Sequence, residues 1–575
     1  MKKKLFLKIT IFNFVIAILS YDTGLKAQSV EFEWVNQTSG IINKTDKIIK
    51  IDQVGNVYST GYFNGTIDLD PSENEFNLYC NDTSASIPDI FIRKLDASGN
   101  FIWGKQIGGL SADYSESIAL DEVGNIYLFG TFFGTSDFDP SIETYNLTAS
   151  AIYDAFILKL DVNGNFIWVN SIASDSAIQA NSILTDNAGN IFATGSFTGT
   201  VDFDPSTNIF ELNSSGENDV FILKLNSEGN FIWAEKMGGL GDDLIYSFAL
   251  DENNNLYTTG SFNGTADFNP KFGEYNLTAF GYQDIFISKL DQNGNFLWAK
   301  TIGGLGNDYF ESMKIDIFGN VYLTGSLSNT IDFDPGPEGF NLTPDGNYDD
   351  MYILKLNYNG DFEWVKSIKG EFFNRSNSID VDIFGNCYIT GRFALVADFD
   401  PGADVYNLTS STVADFFILK LDLQGNFLWV IPFGTESGGG EGKWISIDSS
   451  NNIYLMGSFK PDTDFDPGPE VENLIAVIPY PSFILKLSQS DLVYINEREN
   501  KSFINIYPNP SSGLFTIDLK EKSVLTITNI LGETLLQQEF EAGKQNINIQ
   551  DEANGIYFVR VFSNGEMGMV KILKE

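Results

Sequence analysis

Tryptophan recurs along this chain at a nearly fixed interval: Trp34, Trp103, Trp168, Trp233, Trp298, Trp364 and Trp429. Most neighbours stand 65 residues apart, as from Trp168 to Trp233 and from Trp233 to Trp298. Each sits in a copy of one pattern, of which Gly-Asn-Phe-Ile-Trp at 229–233 is an example. Such a period means one supersecondary unit built repeatedly, each copy burying an apolar face against the next.

The second full copy shows the grammar. Ser-Ile-Ala-Leu-Asp at 117–121 reads as a short strand A, and Glu-Val-Gly-Asn at 122–125 turns it into strand B at 126–133. A long loop leads to strand C at 154–160, and residues 161–165 turn that into strand D at 166–172. Gly and Asn suit both turns because they tolerate positive φ. β-Branched and aromatic content without a helical period argues for strands throughout. Four antiparallel strands per repeat is the arrangement of a β-propeller blade. The A–B turn occurs seven times, opening at Asp52, Asp121, Asp186, Asp251, Asp316, Asp382 and Asp448. The first copy of strand D (31–35) precedes any strand A, and no D follows the last C. The expectation is therefore an all-β, seven-bladed propeller over 29–487, closed by the N-terminal strand on residues 482–487; closure leaves no bare sheet edge.

The repeats resemble a family of bacterial β-propeller repeats found in exported proteins. The likeness rests on Asp186 to Phe197 (Asp-x-x-Gly-Asn-Ile-Phe-x-x-Gly-Ser-Phe) followed by Phe221 to Leu225. It implies a fold, and such folds serve unrelated functions.

Charge and composition remove several functions. Lys and Arg number 35 against 77 Asp and Glu, a net charge of −42, which leaves no room for the cationic surface that nucleic acid or anionic lipid needs. The chain has no histidine, so imidazole zinc sites and His-dependent triads are excluded. Cys80 and Cys387 fall in units that are not neighbours, and no disulfide is expected. Residues 1–28 have the layout of a secretory signal, with Lys2, Lys3 and Lys4 before an apolar stretch too short to span a bilayer. No later segment reads as a membrane span.

Strand C carries a lysine in every copy, from Lys94 to Lys486. A charge among apolar neighbours needs a partner, and the Asp opening an A–B turn is the expected one. The loop between B and C repeats an Asp-x-Asp-Pro element. Its carboxylate pairs are Asp68/Asp70, Asp137/Asp139, Asp202/Asp204, Asp332/Asp334, Asp398/Asp400 and Asp464/Asp466, with Asp267 and Asn269 in the remaining copy. Residues i and i+2 share one side of a strand, so each pair suits a hard cation such as calcium; the alternative is that Asp before Pro only caps a turn. The Trp series is expected to pack between blades. The A–B and C–D turns are short and uniform, whereas the B–C and D–A connections at the other end are long and divergent. A protein or glycan ligand is expected on that loop face, where 201–203 and 209–212 are expected to form a small extra hairpin.

After a polar connector at 488–501 the repeat gives way to six or seven short strands in 502–575, the pattern of a small β-sandwich. This module resembles the type A C-terminal sorting domain of the Bacteroidota type IX secretion system. The matching residues are Tyr507-Pro-Asn-Pro510 with Gly513, Asn529-Ile-Leu-Gly532, Gly555-Ile-Tyr557 and Lys571-Ile-Leu-Lys574. The resemblance implies dealings with the secretion machinery through 502–575 and a secreted or cell-surface destination. The leading expectation is a non-enzymatic binding or scaffold protein without cofactor. The rivals are a carboxylate-dependent glycan-degrading enzyme and a calcium-stabilised spacer.

Overall fold

The computed structural model describes residues 30–489 and 504–574, except for 41–43, 83–85, 347, 412, 435–438, 461–462, 475–480, 510, 530–533, 551, 553–554 and 564–565. The expected signal segment, and the connector beyond residue 489, lie outside the described residues. The chain divides into two compact units, Met1–Asp491 and Leu492–Glu575. Every regular element described is a β-strand, and no described helix is long and apolar enough to cross a membrane.

Among the described residues the first unit contains seven four-stranded antiparallel arrays, most of them extended by the hairpin strands described below. In the third repeat strand A is Ile178–Thr185, B is Ile191–Phe197, C is Asp219–Leu225 and D is Phe231–Gly239, paired in that order. Every residue of that B and C is buried, because both faces of the sheet are covered by neighbouring repeats. The Asp-x-x-Gly-Asn signature is explained by the A–B turn. Asp186 Oδ1 accepts the amides of Ala188 (3.0 Å) and Asn190 (2.8 Å), and its Oδ2 accepts the Asn190 side-chain amide at 2.8 Å. Gly189 supplies the positive φ of 76°. Repeats four and seven have no glycine there, and Asn254 (φ 58°) and Asn451 (φ 61°) take its place.

The seventh sheet joins the two ends of this unit, as its sequence pattern requires. Glu441–Ile447, Ile453–Ser458 and Ser482–Gln489 are its A, B and C, and Val30–Gly40 is its D, with Trp34 opposite Lys486 and Asn36 opposite Ile484. Strand A of each repeat lies against strand A of the next, and that of the seventh also meets that of the first (Lys44–Ile51). Apolar clusters straddle neighbours in the same way. Tyr127, Phe129 and Ile157 of the second repeat share one with Ile191, Phe221 and Leu223 of the third. Another joins Ile49, Val57 and Leu95 of the first repeat to Tyr454, Met456 and Ile484 of the seventh.

The extra hairpin is present: Thr200–Asp202 pairs with Glu211–Asn213. The sequence did not disclose its second role, extending the preceding repeat's strand D. Gly108 pairs with Asp137, Gly238 with Asp267, Gly303 with Asp332 and Lys369 with Asp398. Ser39 of the N-terminal strand makes the equivalent pairing with Asp68 of the first repeat. In the second repeat the hairpin runs straight into its parent strands, so B extends to Asp137 and C begins at Asn146.

The C-terminal unit has two antiparallel sheets. One comprises Ile504–Tyr507, Leu514–Leu519 and Gly543–Asn548. The other comprises Thr534–Phe540, Ser523–Asn529, Gly555–Ser563 and Glu566–Lys574. A single apolar cluster, including Phe515, Ile517, Leu525, Ile527, Val559 and Ile572, draws on both. The strand Thr534–Phe540 is not legible in the sequence, because Leu535-Leu-Gln-Gln-Glu-Phe540 lacks a clean alternation.

Candidate functional site

The Asp-x-Asp-Pro carboxylates are turn caps. Asp137 Oδ1 accepts the amides of Asp139 (3.1 Å) and Tyr145 (2.8 Å), and Asp139 Oδ1 accepts that of Ser141 at 2.9 Å. The same bonds recur at Asp68 with Asp70, Asp202 with Asp204, Asp332 with Asp334, Asp398 with Asp400 and Asp464 with Asp466. Each pair belongs to its own hairpin. Among the described residues no group of three or more His, Cys, Asp or Glu side chains is placed to hold a metal ion. Cys80 and Cys387 are both free.

The expected pairing of the strand C lysines with A–B turn aspartates is corrected. It occurs at Lys289 and Asp251, 3.4 Å apart. Elsewhere the ammonium mostly reaches into the C–D turn of the following repeat. Lys159 donates to the Ser227 carbonyl (2.9 Å), Lys224 to Gln292 (3.0 Å), Lys94 to Val162 (3.5 Å) and Lys486 to Ala97 of the first repeat (3.0 Å). Lys355 takes Glu363 at 2.9 Å. The physical reason is reach. The lysine lies across its own strand B ring, 4.7 Å from the Tyr58 centroid for Lys94 and 4.4 Å from Tyr257 for Lys289, which points it at the neighbour. The aspartate, for its part, is already engaged by its turn and by that tyrosine, as at Asp121 and Tyr127 (3.1 Å). The seventh repeat has no C–D turn, because its C and D come from opposite ends of the chain. There Gln489 Oε1 accepts from Lys420 (3.1 Å) and from Tyr388 (3.2 Å) instead.

Each Trp stands edge-on to the same aromatic residue, 6.4 Å between ring centroids for Trp103 and Tyr58. It also packs on the next repeat, as expected. The Trp34 indole donates to the Ala97 carbonyl at 3.1 Å, and a Cβ added at Gly99 would lie 2.8 Å from its ring. Glycine in that turn is therefore a matter of space as well as of φ.

At the end bearing the D–A and B–C connections, large apolar side chains are exposed: Leu110, Leu240 and Leu305 in the D–A loops, and Ile152, Phe280 and Tyr282 in the B–C segments. Beneath them lie buried carboxyl pairs between successive repeats. A Cβ at Gly238 would fall 2.6 Å from Asp219 Oδ1 and 2.8 Å from Asp243 Oδ2, and Gly108 stands in the same way between Asp89 and Asp113. Among the described residues the Oδ1 atoms of Asp89, Asp219 and Asp243 have no hydrogen-bond partner. Burial, reinforced by the facing carboxylate, pushes Asp113 up to about 7 and Asp243 up to about 8. Asn374 occupies the corresponding position of the sixth repeat, opposite Phe393 as Asp243 is opposite Phe262.

The sequence pattern points to the loops for specificity and does not single out strand A. Each strand A has a bulge, and the bulged residue differs from repeat to repeat: Lys47, Glu116, Asn181, Tyr246, Glu311, Asn377 and Lys443. Lys47 and Glu116 form an ion pair at 2.8 Å, and Asn377 donates to Glu441 at 3.2 Å. Glu311 has its carboxyl raised by burial, opposed by Arg375 and reinforced by Glu441. The signal was available. Strand A is the least uniform of the four strands, running Ser-Ile-Ala-Leu at 117–120 but Ser-Met-Lys-Ile at 312–315 and Ser-Ile-Asp-Val at 378–381.

Two outcomes follow from this geometry. Asp137→Ala removes an acceptor from two amides and lowers stability by about 1 kcal/mol in urea unfolding, equally with calcium or with chelator; a loss seen only with calcium would assign the carboxylates to a cation instead. The second concerns pH. Carboxyls raised in the fold and ordinary in the unfolded chain make folding take up protons, so stability falls as pH rises from about 4 towards the folded values of about 7 and 8. Asp243→Asn, a neutral mimic, flattens that decline in a melting-temperature series and makes the variant more stable than the parent above pH 8.

Comparison with known proteins agrees with both units. Residues 505–575 match the family described as secretion system C-terminal sorting domain, and residues 102–131 match β-propeller repeat. An uncharacterised WD repeat-containing protein of Acanthamoeba polyphaga mimivirus is 24% identical over 494 residues, covering 72% of this chain and 35% of its own length. The regulatory protein FlaEY of Caulobacter vibrioides is 22% identical over 215 residues, covering 37% of this chain and 21% of its own. The chain thus spans about a third and about a fifth of these relatives. Among solved structures, Sqt1 from Chaetomium thermophilum aligns with 80% of this chain and 100% of its own at 10% identity, TM-score 0.37. PorZ, a surface component of the type IX secretion system of Porphyromonas gingivalis, aligns with 94% of this chain and 100% of its own at 11% identity, TM-score 0.23. The repeats and the tail identify the chain as a β-propeller repeat protein carrying a C-terminal sorting domain of the type IX secretion system.

Proposed function

We propose that the seven sheets close into one propeller ring with strand A innermost. The exported molecule then acts as a non-enzymatic binding or scaffold module, secreted or held at the cell surface, and the two sheets of its tail form a small β-sandwich. Closure is supported by the contacts between the seventh repeat and the first: Lys486 and Trp34 donate to the Ala97 carbonyl, and one apolar cluster spans both repeats. Binding is supported by one observation above the others. Large apolar side chains, Leu240 and Tyr282 foremost, stand exposed on the loops at the end bearing the D–A and B–C connections. The ligand expected there is a protein or a glycan.

A second reading, a carboxylate-dependent glycan hydrolase, is favoured by Glu311. Its raised carboxyl has the character of a general acid, and Glu441 is a second carboxylate within its electrostatic reach. Screening the full chain against glycan and protein arrays separates the two. Binding that persists without bond cleavage and is lost in Leu240→Asp or Tyr282→Ala supports the module. Cleavage abolished by Glu311→Gln establishes the enzyme.

Closure has its own test in hydrogen exchange. Trp34→Ala should speed exchange at residues 482–487 and also at 96–100 of the first repeat; protection at 96–100 unchanged from the parent would mean an open array.

A further inference from the structure

Side chains that depart from the repeat gather where the fifth, sixth and seventh repeats meet, at the end bearing the D–A and B–C connections. The D–A loop entering the sixth repeat carries Phe372-Phe373, where its counterparts have Ser111-Ala112, Gly241-Asp242 and Gly306-Asn307. Strand B of the sixth repeat carries Arg392 after Gly391, where the third, fourth, fifth and seventh have Ser196, Ser261, Ser326 and Ser458. Arg375 in strand A stands directly opposite Arg392, and like charges so placed repel. Four other repeats build the same strand pair with serine there, so the fold does not require the second arginine.

These groups form a closed circuit. Tyr348, in the B–C segment of the fifth repeat and 48% exposed, lies 4.3 Å from Phe372 between ring centroids, and Phe372 lies 4.9 Å from Phe373. The Arg392 guanidinium is 5.1 Å from the Phe373 centroid. Asp349, next to Tyr348 in the chain, takes Arg375 at 3.2 Å. Glu441, opening strand A of the seventh repeat, stands 3.9 Å from Arg392 Nε, beyond hydrogen-bond range. That buried nitrogen has no hydrogen-bond partner among the described residues. The four charged side chains are between 27% and 47% exposed, so a ligand can reach them without disturbing the fold. Two guanidinium groups against two carboxylates leave no net positive charge to hold an acidic group. What they offer is planar donors beside planar acceptors, next to aromatic rings. A sugar ring matches that combination, because each hydroxyl both donates and accepts and its C–H face packs on an aromatic one. An apolar protein anchor would instead strip water from four charges and satisfy none of them.

We propose that Tyr348, Phe372, Asp349, Arg375, Arg392 and Glu441 form a binding site for a neutral glycan. A sugar ring packs on Tyr348 and its hydroxyls bridge the arginines and carboxylates. The inference rests on the binding-module reading and deepens it by naming the class of ligand.

The test applies the full chain to immobilised maltohexaose, cellohexaose, xylohexaose and mannohexaose, with hexagalacturonate as the acidic comparator. The parent should bind at least one neutral oligosaccharide, and Tyr348→Ala and Arg392→Ser should each weaken that binding by about tenfold. Serine is what four other repeats carry at that position, so Arg392→Ser should melt with the parent; Tyr348→Ala, at an exposed residue, is the second readout. A parent that binds none of the neutral sugars, or prefers hexagalacturonate, overturns the proposal, as does unchanged binding in either variant. A partner on a protein array that is lost in the same two variants would make this a protein interface and overturns it as well. If Leu240→Asp abolishes binding while Tyr348→Ala and Arg392→Ser retain it, the module stands and this site falls; a parent that binds neither sugars nor proteins removes both.

Discussion

No repeat of this protein is complete without the one that follows it. The strand C lysine of four repeats (Lys94, Lys159, Lys224 and Lys486) and the strand D tryptophan of two (Trp34 and Trp364) donate to the next repeat's C–D turn, and Lys486 and Trp34 both do so at the Ala97 carbonyl. Glycine in that turn lets the indole approach, and the apolar clusters run across the same boundary. The interaction is local, directional and repeated, which makes it a rule for assembling an array. The seventh repeat shows how strict the rule is. Lacking a C–D turn to receive Lys420, it uses the side chain of Gln489 as the missing acceptor.

Stacking of this kind separates what is common from what can vary. Residues that face the neighbouring repeat are the same in nearly every copy, and so are the turn-opening aspartates. The ends of the strands and the innermost edge escape that constraint. The exposed Leu240 and Tyr282, the paired carboxyls beneath them, and the unequal charges of Lys50, Glu311 and Asp380 all lie there. Both functional readings draw on these unconstrained positions. The Asp-x-Asp-Pro elements recur in the repeats, and their Oδ1 atoms accept their own hairpin amides.

Much of the architecture was readable beforehand because periodicity is a one-dimensional property. Strand count, turn chemistry and the pairing of residues 30–38 with 482–489 follow from where Asp, Gly and Trp recur, and the tail's motifs announce its class. The strand C lysines were misread for an equally physical reason. A pattern shows that Lys159 needs a partner, but not that its own ring will steer it to Ser227, 68 residues further on. Pairing between a strand D and the next repeat's hairpin was invisible for the same cause. Gly238 and Asp267 meet only once two sheets are placed side by side.

By itself, the amino-acid order determined the unit, its number, its turns and the export tail, since each depends on contacts within a few residues or on plain repetition. The tertiary structure alone decided which groups from different repeats meet: Asp219 with Asp243, Lys314 with Asp380, and Lys486 with the Ala97 carbonyl. Electrostatics and burial depend on distance through space, and folding brings together residues that the linear order keeps tens to hundreds of positions apart.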